Sequence, residues 1–228
     1  MELDLAKKLF KILKTPNQLF SIMKKYWWHW RIFQAGIPGL KLQEKTPNQI
    51  LSIMKESGWN PDICQAGIPG LTDENQILFV MKKSGWNPAV CQAGIPGLTD
   101  ENQIISVMKK SGWDSDVCQA GIPGLKLREK TPNQLFSIMK KSGWNWRICN
   151  AGIPGLKLQE KTPNQLFSIM KESGWNPAVC QAGIPGLTDE NQLIFVMKKF
   201  GWDSDVCQAG ISDLTDENQI LSIMEESE

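Results

Sequence analysis

The twenty residues "SGWNPAVCQAGIPGLTDENQ" start at Ser84 and return letter for letter at Ser173. The glycine of "AGI" falls at Gly36, Gly67, Gly94, Gly121, Gly152, Gly183 and Gly210, and an "NQ" pair occurs eight times from Asn17 to Asn218. The intervals are 27 or 31 residues. Periods of this size belong to repeat architectures, whose units are too short to bury an apolar face alone and pack on their neighbours instead.

Each unit reads as two helices. The first opens with "TPNQ" or "TDENQ". Threonine is a good N-cap, proline suits the first helical position, and a glutamine three residues on completes a capping box, as in Thr131, Pro132 and Gln134. "LFSIM" or "ILFVM" then supplies apolar residues on several faces, as expected of a helix packed between neighbours. "KKSG" closes it, with lysines against the negative helix end and glycine as a left-handed cap. The second helix is short. In "NPAVCQAG", Asn87 is the cap, Pro88 the first residue and Gly94 the stop, and Asp114 takes the cap in "DSDVCQAG". "IPG" turns the chain into the next unit. "ILFVM" alone would suit a strand, but the caps on both sides favour helix.

Two columns repeat once per unit. Cys64, Cys91, Cys118, Cys149, Cys180 and Cys207 form no CxxC, and His29 is the sole histidine, so neither a metal nor a cofactor is expected. One cysteine at one position of each unit reads as a small buried hydrophobe. Trp59, Trp86, Trp113, Trp144, Trp175 and Trp202 follow the glycine between the helices. They read as packing wedges, or else as a ladder for stacking bases.

A longer period overlies the short one. "HWR" at 29 matches "NWR" at 145, "NPD" at 60 matches "NPA" at 176, and Phe79 matches Phe195, each 116 residues apart. The chain is close to two copies of a four-unit block, with "NPA" at 87 against "DSD" at 203 as the mismatch. The expected organisation is an amphipathic capping helix at 1–14, seven helical repeats at 15–214 and a half-repeat at 215–228. The expected fold is all-α: tandem two-helix repeats in an α-solenoid, either an open superhelix or a closed ring. Lysines crowd the start and Glu225, Glu226 and Glu228 the finish. These ends either complement each other, closing a ring or joining chains head to tail, or are ordinary polar caps.

The formal net charge is +1, so no global field draws the chain to nucleic acid or acidic lipid. No apolar run approaches the ~18 residues of a membrane span. "MELDLAKKLFKILK" has Glu2 and Asp4 ahead of its lysines and lacks a small-residue cleavage site, which argues against a signal peptide. The expected location is intracellular, cytoplasmic or nuclear.

Local charge is more informative. Lys24-Lys25, Lys82-Lys83, Lys109-Lys110, Lys140-Lys141 and Lys198-Lys199 predict a basic stripe along one edge, a candidate for phosphate binding. Asp73-Glu74, Asp100-Glu101, Asp189-Glu190 and Asp216-Glu217 mark the other. The helix dipole alone favours both placements. The strongly variable positions follow the second helix's cap, among them Trp30-Arg31 and Trp146-Arg147. With Phe79 and Phe195 these are the candidate partner-binding residues, since tryptophan and arginine anchor protein interfaces.

The junction "VCQAGIPGLTDENQ" resembles that of TAL-effector-type DNA-binding repeats, where a "CQ" near the end of one unit leads through glycine and "LT" to a glutamine in the next. The likeness covers about a dozen residues per unit. In that family a variable pair between the two helices reads one base per repeat, which implies a nucleic-acid partner. The chain departs from it in a shorter second helix, in uneven linkers and in lacking the glycine-rich inter-helix loop. "IPGL" before a helix also resembles a helix-hairpin-helix element, which holds DNA phosphates.

No Ser/His/Asp set, paired acids or phosphate loop is recognisable, and His29 among Trp27, Trp28 and Trp30 reads as packed rather than catalytic. The expected function is a non-catalytic scaffold that binds protein, itself included, with nucleic-acid binding through the lysine stripe as the alternative. No small-molecule or membrane partner is expected.

Overall fold

The structure, a computed structural model, describes residues 8, 16–25, 34–211, 218 and 221. The described residues are helical, with no strand among them. The 1–14 helix, the 215–228 half-repeat and the Trp30-Arg31 pair lie outside them, apart from Lys8, Asn218 and Leu221.

The chain divides into two compact units, Met1–Leu125 and Lys126–Glu228. The boundary falls in a long linker; in sequence the first unit holds four repeats and the second three and the terminal half-repeat. The first contains α1 (Pro16–Lys25), α2 (Pro47–Glu56), α3 (Pro61–Gly67), α4 (Glu74–Lys83), α5 (Pro88–Gly94), α6 (Glu101–Lys110) and α7 (Ser115–Gly121). The second contains α8 (Pro132–Lys141), α9 (Trp146–Gly152), α10 (Pro163–Glu172), α11 (Pro177–Gly183), α12 (Glu190–Lys199) and α13 (Ser204–Ile211).

The long helices begin where their caps dictate. Thr46, Thr131 and Thr162 form complete capping boxes with Gln49, Gln134 and Gln165. In "TDENQ" the cap moves one residue along. Asp73, Asp100 and Asp189, not the threonines, accept from the N–H of Gln76, Gln103 and Gln192 at 2.8–2.9 Å. The short helices start as their asparagines predict, Asn87 accepting from Ala89 and Val90.

The short α-helix ends at Gly94, as expected, but without a left-handed cap. Gly94 lies in the right-handed region at φ −97°, ψ −25°, and the chain runs on into a 3-10 turn over Ile95–Gly97. Its glycine is there for space. A Cβ on Gly94 would lie 2.5 Å from Met81 Cε and 2.6 Å from Ile68 Cδ1. The extra residues of the long linkers place Lys41, Lys126 and Lys157 at φ 48–52° and bury Leu42, Leu127 and Leu158.

In α4 the fully buried positions form one stripe. Ile77, Val80 and Met81 of α4 are buried at i, i+3 and i+4, whereas Leu78 is half-buried and Phe79 exposed. The apolar residues outside this stripe meet neighbours as well, Phe79 packing against Trp59. Val90, Cys91 and Gly94 supply the matching face of α5. Small residues let the short helices approach closely: α3, α5 and α7 pack in succession in the first unit, and α9, α11 and α13 in the second. Each long helix packs on the short helix that follows it, as α4 does on α5 and α10 on α11.

The cysteines belong to this core. Burial pushes the thiols of Cys64, Cys91 and Cys180 up to about 12 and that of Cys149 to about 11. Cys207 is half-buried and its thiol is raised too. A raised thiol pKa keeps the native state protonated where the unfolded chain ionises. Stability is therefore full below the ordinary value near 9 and falls as pH rises from there toward 12. At pH 8 a thiol reagent is expected to modify Cys207 first and Cys64, Cys91, Cys149 and Cys180 only on unfolding. Rapid native labelling of those four would contradict their burial.

Candidate functional site

The most elaborated local structure is the corner between the two helices. In "MKESGWN", Gly58 N–H donates to Lys55 C=O at 3.0 Å and Trp59 N–H to Met54 C=O at 2.9 Å. These are the two bonds of a Schellman motif, with Gly58 left-handed at φ 66°. Trp59 is left-handed as well, at φ 61°, and every tryptophan of the column shares this, at φ 57–62°. A bulky residue is rare there. Two left-handed residues in a row turn the chain directly into the short helix. Serine ties the corner: Ser173 Oγ donates to Met170 C=O at 2.6 Å and accepts from Asn176 N–H at 3.1 Å. Asn176 Nδ2 then donates to Trp144 C=O at 2.9 Å, linking one corner to the preceding one.

The tryptophans of the column are half-buried wedges. Each of several meets a phenylalanine of its own or the following long helix. Trp144 packs edge-on against Phe136 with centroids 5.2 Å apart, and Trp59 against Phe79 at 5.3 Å. Trp175 sits between Phe167 at 5.5 Å and Phe195 at 5.1 Å. Phe79 and Phe195 therefore serve packing as well as display, remaining 46% and 44% exposed. The recurring spacing of twenty residues from tryptophan to phenylalanine was present in the sequence, but only the fold shows it as a contact.

Trp146 and Arg147 open α9. The Trp146 ring is 55% exposed, and the Arg147 guanidinium carbon lies 4.4 Å from its centroid. The pair forms a cationic aromatic plate at the N-terminal end of a short helix.

The described lysine side chains are exposed in the last turns of the long helices: Lys25, Lys82, Lys83, Lys109, Lys110, Lys140, Lys141, Lys198 and Lys199, with Lys24 in the same turn of α1. Acids interrupt them. "MKES" puts Glu56 and Glu172 where other units have a second lysine, and Lys140 Nζ lies 3.6 Å from Glu172. Lys83 sits over the Phe79 ring at 5.5 Å. Nor do the long helices pack as closely as the short ones. Between α4 and α6 lies a groove of about 430 Å³ lined by Asn75, Leu78, Phe79, Lys82, Trp86, Asn102, Gln103 and Ser106. A smaller hollow of about 190 Å³ in the second unit is lined by Phe136, Leu156 and Ile169 among others. Sequence reading missed both, since its even packing of neighbouring helices leaves no groove.

The other edge is polar and acidic. Asp73, Asp100 and Asp189 are spent as caps, and Glu74 accepts from the Thr99 hydroxyl and N–H. Asp216-Glu217 lies outside the described residues. Gln192 Nε2 donates to Asn164 Oδ1 at 3.0 Å, joining α12 to α10 through the "NQ" pairs. The Oε1 atoms of Gln103 and Gln192 are buried with no hydrogen-bond partner.

Among the described residues no cluster of His, Cys, Asp and Glu could hold a metal ion, and no helix is long and apolar enough to cross a membrane. Comparison with protein families, with curated proteins and with solved structures found no match to this chain.

Proposed function

We propose that this chain is a non-catalytic helical-repeat scaffold, an intracellular α-solenoid that binds protein and joins to its own kind. The supporting observation is the division of labour between helices. Consecutive short helices pack on one another within each unit, and the long helices present Phe195 and Phe79, the latter with a groove beside it. Exposed aromatic and arginine side chains beside apolar grooves are the usual anchors of protein interfaces. The basic 1–14 segment and the acidic 215–228 segment supply complementary ends for a head-to-tail contact.

Nucleic-acid binding is the second reading, favoured by the exposed lysines of the long helices' last turns. The two separate by salt. Light scattering across a concentration series is expected to show a mass that grows with concentration in both low and high salt. Removal of residues 1–14 is expected to weaken that growth. A mass that stays at one chain, with nucleic-acid affinity falling steeply as salt rises, would replace the scaffold by the lysine reading. Its log–log slope would then be about −0.9 per phosphate contact on duplex DNA.

A further inference from the structure

We propose that the groove between α4 and α6 receives Trp146 of a second copy of this chain, so that copies join through two different faces. The proposal rests on the protein-binding reading above and names the contact.

The groove is lined to take an aromatic side chain. Leu78, Phe79 and Trp86 give it apolar walls. Phe79 keeps 46% of its surface open even while it packs edge-on against Trp59. The groove's volume is about 430 Å³, and it lies open to solvent, so a side chain can enter it.

The same chain carries a group of that chemistry. Trp146 is 55% exposed, and its indole offers an N–H and no acceptor. Arg147, 4.4 Å from its centroid, is stacked on the ring and so reaches the interface already ordered. Charge sets the orientation. Asn75, Asn102 and Gln103 belong to the first turns of α4 and α6, where Asp73, Glu74, Asp100 and Glu101 also lie, and Lys82 stands in the last turn of α4. The guanidinium fits the acidic end and is repelled from the lysine end. Groove and plate are different surfaces, so the contact is heterologous and propagates from copy to copy.

Two variants and their mixture test this. Trp146→Ser removes the plate. Ser106→Arg, at an exposed position of α6, fills the groove and repels Arg147. Circular dichroism is expected to show both folded. In sedimentation velocity the wild type is expected to grow in mass with concentration, and each variant alone to need at least about tenfold more protein for the same growth. Mixed in equal amounts, the variants supply one intact groove and one intact plate between them, and are expected to associate at lower concentration than either alone. A wild-type mass that stays constant overturns the proposal. So does growth unchanged in both variants but abolished by removing residues 1–14, and that outcome leaves the scaffold reading standing.

Discussion

Met81→Ala is expected to cost about 2–5 kcal/mol of stability, and Gly94→Ala, costly alone, is expected to cost less in its presence. Met81 is fully buried, and its Cε fills the space above Gly94. A methyl on Gly94 would meet Met81 Cε at 2.5 Å, Ile68 Cδ1 at 2.6 Å and Ile77 Cγ2 at 3.1 Å. Overpacking of this kind costs about 1–3 kcal/mol. It outweighs the gain of about 1 kcal/mol that alanine brings over glycine in a helix. Shortening the methionine opens the space the methyl needs, so the double variant should be more stable than the sum of the singles predicts. Gly183→Ala gives the internal comparison. Its Cβ would meet Met170 Cε at 2.7 Å, but the next atom is 3.7 Å away. A flexible methionine end can yield there, so Gly183→Ala is expected to cost less than Gly94→Ala. Urea unfolding of the four variants and the wild type checks this. Equal costs at Gly94 and Gly183 would show that space does not select the glycine.

Trp175→Ala is expected to destabilise by about 2–4 kcal/mol, and Trp175→Gly by about 1 kcal/mol less. Both lose the ring contacts with Phe167 and Phe195 at 5.5 and 5.1 Å. They differ in the backbone. Residue 175 is held at φ 62°, after Gly174 at φ 65°. Alanine keeps the steric penalty of the left-handed region, and glycine does not. Inside a helix or strand the order would be reversed, because glycine loses more conformational freedom on folding. Thermal unfolding of the two variants side by side reads the sign directly. A less stable glycine variant would mean that the tryptophan column is not left-handed in solution.

What the letters alone determined is local. The period, the two-helix unit, the threonine and asparagine caps and the left-handed glycine after "KKS" all rest on hydrogen bonds that span two to five residues. Each is therefore written in one short stretch, and Thr131 with Gln134 or Asn87 with Val90 could be read directly. The aspartate cap of "TDENQ" differs by one residue because aspartate competes with the threonine before it. Tertiary structure decided the rest. Gly94 does end the short helix, but why it has no side chain is seen only once Met81, thirteen residues earlier, is found against it. Phe79 looks like a free anchor until Trp59 is found on its edge. The even stripe of lysines becomes interrupted once Lys140 meets Glu172 from the next long helix. The groove between α4 and α6 exists because small residues draw the short helices together while larger ones hold the long helices apart. Such features depend on which side chains meet across neighbouring helices and how closely, and close packing fixes that only once each compact unit is assembled.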